Sequence, residues 1–259
     1  FNKYTALDFK KVDDQYKYIN MTGTPGFKSN MLITIGDGFR GELRIDGISL
    51  GGEKGIPCIS IGENCDVRIV LFGDNEFRTG GIQVAESSRF ELAGDGDLRI
   101  TLAGGRYFGI GNDLASRHGD LYFNQDGTLS ITATGMRGVG IGSGLGGNIH
   151  IGHGRYEIDQ RGQEGVVIGC VDDDCRLHIE NCDIEIYNGI ARSVTVGSYN
   201  GDADIEIENI SGKISGASIS TAVIGTMCGQ QCHVRMQNVN VTMNIRSNEC
   251  YGIGCRQGY

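Results

Sequence analysis

The stretch GVGIGSGLGGNIHIGHGRYEID, Gly138 to Asp159, decides how this chain is read. Three apolar pairs punctuate it, Val139/Ile141, Ile149/Ile151 and Tyr156/Ile158, each with one residue between its members. Such alternation is the signature of a short strand with one buried face. Glycine-rich segments between the pairs supply corners, so the motif reads as one turn of a coil made of three short strands. It recurs along nearly the whole chain, which marks a repeat architecture.

Taking the apolar residue before a small corner residue as the anchor, the coils fall at Ile35, Ile61, Val84, Ile110, Ile141, Ile168, Val196, Ile224 and Ile253. Their spacings are 26, 23, 26, 31, 27, 28, 28 and 29, an average near 27. The residue two before each anchor, from Ile33 through Val139, Val166 and Val194 to Tyr251, is apolar and is expected to face inward. Glycine follows every anchor except Val84, where Ala85 stands. The second strand repeats independently, in pairs from Leu43/Ile45 and Val67/Ile69 to Ile205/Ile207 and Val234/Met236. Third strands follow less evenly, as in Leu98/Ile100, Leu129/Ile131, Ile184/Ile186 and Val239/Val241. Coils this small bury their apolar faces only by stacking, and eight to nine of them at strand spacing make a rod of roughly 40 Å.

Asn181, Asn209 and Asn238 each lie two residues past a second-strand pair, in consecutive coils. Stacked asparagines can bond amide to amide along a parallel array. With this column the sequence resembles the right-handed parallel β-helix superfamily typified by pectate lyases. The run from Gly138 to Ile151 also resembles bacterial secreted and surface β-helix proteins that bind carbohydrate. The resemblance spans about Met31 to Tyr259 and implies fold and an exported setting. No lyase-type catalytic signature sits at matching positions, so no family site carries over. The expected fold is therefore all-β: a single-domain right-handed parallel β-helix over 31–259, with residues 1–30 as a cap on the open first coil.

The 43 glycines, two prolines and absence of tryptophan suit tight corners and unbroken ladders. A net charge of −9 argues against nucleic acid and against anionic membrane surfaces. No run of 18 apolar residues suggests a membrane span. A chain starting at Phe1 and stopping just after a first strand reads as a trimmed piece of a longer exported protein, with a far end that invites end-to-end self-association. Nine cysteines cannot all pair internally. Cys65, Cys175 and Cys232 fall in an inward column of small residues, while Cys170–Cys175 and Cys228–Cys232 bracket loops short enough for local disulfides.

Function in a solenoid belongs to outward positions. The first-strand outward column, including Gly109, Gly140, Val167, Thr195 and Val223, reads as a flat face of small residues. The second-strand column is richer: Tyr122, His150, His178, Glu206 and Arg235 in successive coils, flanked by Asp120, Asn148, Arg176, Asp204 and His233. His150, His178 and Glu206 have the chemistry of general acid/base groups, or of transition-metal ligands; charges pairing across a solvated face are the plainer alternative. Asp172, Asp173 and Asp174, with Asp202 one coil on, are hard oxygen donors of the kind calcium takes, or simply an acidic turn. Tyr107, Tyr122 and Tyr199 are candidates for stacking on sugar rings, with Arg176, Asp204 and Arg235 as polar contacts. Two functions follow: a non-catalytic extracellular or cell-surface module that binds polysaccharide or builds an assembly, or a glycoside hydrolase or polysaccharide lyase.

Overall fold

The computed structural model describes residues 6–9 and 15–256, and it stacks the repeat as the periodicity requires. Every strand pairing among these residues is parallel, no helix occurs, and the chain forms a β-solenoid of about nine turns. Ile110, Ile141, Ile168, Val196, Ile224 and Ile253 lie one above another, as do Ile35, Ile61 and Val84. Between these two blocks the register moves by two, so that Ile110 pairs with Ile82 instead of Val84. The second sheet makes a similar step, with Leu43 on Ile69 instead of Val67. At the third strand, Val241 and Met243, not Val239 and Val241, stack on Gly212 and Ile214. A shift of two leaves the same face inward, so an alternating pattern cannot distinguish the registers.

Nine short strands, from Lys17–Thr22 through Gly147–Ile151, Cys175–Glu180 and Ala203–Glu208 to Cys232–Gln237, form one wall. The opposite wall corrects the expectation of three short strands per coil. From Asp97–Gly111 onward, each third strand runs unbroken into the next first strand, giving 16-residue strands such as Arg155–Cys170, Asp183–Ser198 and Ser211–Thr226. The ladder persists round the corner by skipping single positions where the backbone bends: Gln163 opposite Ala191, then Val167 opposite Thr195. Within the first thirty residues, Ala6–Phe9 and Lys17–Thr22 pair with Leu32–Ile35 and Arg40–Asp46, adding a rung to each sheet. The remainder of the expected cap at 1–5 and 10–14 lies outside the described residues.

The bend also reverses which residues face the axis. Val167 and Val223 join the axial core, although alternation assigned them outward. Val139, Val166, Val194 and Ala222, expected inward, instead meet Leu114, Val171 and Met227 from the loops in a second apolar cluster. The flat small-residue face is thus covered: Val167 and Thr195 are fully buried. Thr195 is held inside by a polar corner in which Asn188 Nδ2 donates to Ser193 Oγ at 3.1 Å and Thr195 Oγ1 at 2.8 Å. Along the axis Phe90, Phe123 and Tyr156 pack edge to face at 6.3 Å. All nine cysteines are free thiols, with Cys65 and Cys175 in the core. Hydrogen bonding with Cys175 and burial push the Cys170 thiol up.

Two columns have backbone causes. Asn181, Asn209 and Asn238 adopt φ of 51°, 51° and 53°, the left-handed region that asparagine tolerates best after glycine. Their amides form the expected ladder, Asn209 Nδ2 to Asn181 Oδ1 at 3.2 Å and Asn238 Nδ2 to Asn209 Oδ1 at 2.9 Å. After the anchors, Gly142, Gly169, Gly197 and Gly225 have φ between 127° and 137°. A β-carbon on any of them would stand 1.9 Å from the carbonyl oxygen of the glycine one coil on. Gly197→Ala is therefore expected to lose about 3 kcal/mol or more, from strain plus a clash that no side chain can relieve. Urea unfolding would show the midpoint falling; an unchanged midpoint would contradict the stack.

Candidate functional site

On a strand with one buried face, the residue between two inward ones points away from the axis. In the nine-strand wall those residues pair rung to rung as Tyr18, Glu42, Arg68, Glu91, Tyr122, His150, His178, Glu206 and Arg235. The column expected from Tyr122 to Arg235 is continuous, and four further rungs extend it. Neighbours interact from Glu42 onward, directly or through Arg89. Arg68 bridges Glu42 and Glu91 at 3.5 Å each, and Arg89 lies 4.4 Å from the centre of the Tyr122 ring. Tyr122 tilts against His150 at 5.9 Å, and the His150 and His178 imidazoles stack at 4.8 Å and 23°. Glu206 follows, 3.3 Å from His178 Nδ1 and 2.8 Å from Arg235.

Charge placement sets the protonation of this run. The Arg235 guanidinium, hydrogen-bonded to Glu206, holds its carboxyl below the usual carboxylate range, with His178 assisting. Burial and the adjacent His178 push His150 down, against the pull of Glu180, so His150 is neutral at pH 7. Glu180 is the member that sequence reasoning missed. Its Oε1 lies 3.3 Å from His150 Nε2 and 3.7 Å from His178 Nε2. Glu180 stands one position beyond the inward Ile179, in the next outward column. The preceding coil places Gly152 in that column, where a β-carbon would lie 2.6 Å from Asn124 Oδ1 and 3.6 Å from His150 Nε2, so a side chain there would crowd the ring nitrogen that Glu180 reaches. The signal was present as a glycine amid long side chains, but its meaning depends on register.

The other candidates separate. Arg176 and Asp204 are adjacent on the flanking column at 3.8 Å, both well exposed. Tyr107 is 6% exposed, not the open sugar platform expected. Gly135 and Gly138 make room for its ring, since a β-carbon on either would lie 2.6 or 2.3 Å from it. Burial pushes the Tyr107 hydroxyl up to about 12. Tyr199 is half-buried against the satellite cluster. The acidic loops are occupied by protein partners: Asp172 takes both oxygens to Arg137 at 2.8 and 2.9 Å, and Asp173 pairs with Arg117. Asp174 and Asp202 accept backbone N–H groups, from Asp202 and from Gln230 and Gln231. Among the described residues, the group of metal-ligand type whose donor atoms converge is His150, His178 and Glu180, not these four aspartates.

The long loop from Asn112 to Asp120 folds down on its own histidine. His118 is 2% exposed, its Nδ1 2.6 Å from the Gly119 carbonyl, and burial lowers its pKa to about 4. The unfolded chain takes up this proton near pH 6.5, so the folded state binds fewer protons between the two values. Stability from this residue is complete above pH 6.5 and falls by about 3 kcal/mol as pH drops toward 4. Thermal unfolding across pH 4–7 would show this slope, and His118→Gln would flatten it. Comparison with protein-family models, curated proteins and solved structures gives no match, so any functional reading stands on this geometry alone.

Proposed function

We propose that this chain is a non-catalytic extracellular or cell-surface module that binds a linear polysaccharide along its nine-strand wall. The observation that carries the reading is the continuous outward column from Tyr18 to Arg235, whose members repeat at the spacing of hydrogen-bonded strands. A straight row of aromatic, imidazole and charged groups on a rigid wall offers ring faces and hydrogen-bond donors in sequence, the chemistry an extended sugar chain presents to a protein. Tyr122 and the two imidazoles form its aromatic centre, with Arg235, Arg176 and Asp204 as polar contacts.

A carbohydrate-active enzyme using His150, His178 and Glu206 is the competing reading. Glu206, held ionised by Arg235, suits a base and not a proton donor. A panel of plant, microbial and mucin polysaccharides distinguishes the two. The expected result is retardation in affinity electrophoresis without new reducing ends or unsaturated products. Tyr122→Ala and Arg235→Ala should each weaken binding by about tenfold while leaving the fold intact. Product formation abolished by His178→Ala would establish the enzyme instead, and no binding across the panel would remove the module.

A further inference from the structure

From His150, His178 and Glu180 we infer a binding site for a divalent transition metal, zinc foremost, on the outer wall. Two imidazoles and one carboxylate make a borderline donor set, suited to zinc, copper or nickel and poorly to calcium or magnesium. The separations fit. Two ligands at tetrahedral zinc, with bonds of about 2.05 Å, stand about 3.3 Å apart. Glu180 Oε1 lies 3.3 Å from His150 Nε2 and 3.7 Å from His178 Nε2, and all three donor atoms fall within 4.8 Å of one another. A shared ion requires the stacked rings, 4.8 Å apart, to turn until both nitrogens face it.

The surroundings supply an independent argument. Glu206 faces His178 Nδ1 at 3.3 Å, so in the neutral ring the proton sits on Nδ1 and the lone pair on Nε2. That Nε2 is shielded from solvent and has no hydrogen-bond partner, although a carboxylate oxygen stands nearby. A lone pair directed at a carboxylate is repulsive until a cation stands between them. Glu206 is thus the outer carboxylate that orients a ligating histidine, and Arg235 keeps it ionised for that role. Three protein ligands leave the ion a further position for water or an anionic group. The site shares His150 and His178 with the proposed polysaccharide row, but metal binding neither requires that reading nor supports it.

The test is titration of the metal-free full chain with zinc chloride at pH 7.5, followed by calorimetry. One equivalent should bind with a Kd of about 10 µM or tighter and raise the melting temperature. His178→Ala and Glu180→Gln should each remove that equivalent, and Glu206→Gln should weaken it by about 10- to 100-fold. His153→Ala, which alters a histidine outside the cluster, should leave it unchanged. Cobalt substitution should give visible d–d bands without the near-ultraviolet band of thiolate ligation, separating this site from the cysteines. Circular dichroism matching that of the parent chain establishes that each variant is folded. Failure to bind zinc, or uptake that survives both His178→Ala and Glu180→Gln, would overturn the assignment.

Discussion

The close approach of one backbone to the next at the glycine corner is the constraint on which the structure depends. Each carbonyl oxygen from Gly142 to Gly254 occupies the place where a side chain of the preceding coil would begin. Removing the β-carbon lets the chain turn at positive φ and also lets the coils sit at ladder distance. With the corner fixed, the strands on either side are brought into register, and the asparagine column locks a second corner by bonds between side chains. Apolar burial then follows, because the anchors of successive coils stack into one axial core.

Features that repeat by column are those the sequence reveals. The anchors, the corner glycines and the asparagines occupy the same place in coil after coil, so aligning the chain with itself exposes them. The outward run from Tyr122 to Arg235 emerges in the same way, since strand alternation holds through each short strand of the nine-strand wall. Alternation fails where the chain bends. Val167, Thr195 and Val223 read as outward because the count of two continues through a corner whose geometry skips a position. Tyr107 reads as open because the glycines that receive its ring, Gly135 and Gly138, lie one coil away.

Glu180 illustrates a different limit. Its position was visible, but its partnership with His150 and His178 depends on a side chain leaning across a rung where Gly152 places none beside His150. Such diagonal contacts arise from the shape of a neighbouring coil, which no single repeat contains. The acidic loops show the converse. Asp172 and Asp173 look like a cation site as a string of letters, yet Arg137 and Arg117 reach them from earlier coils and neutralise them. Proximity across the stack decides both cases.

The outward column also has a property that a folded enzyme cleft lacks. His150, His178 and Glu206 are separated by 28 residues each, and each step along the axis is one hydrogen-bonded rung. Adding or removing a whole coil would alter which groups are neighbours while leaving the interval between them untouched. Spacing here is quantised by the ladder, and identity is free to vary within it. Under the proposed reading, recognition on this wall is a linear text, edited one line at a time by duplication or loss of a coil.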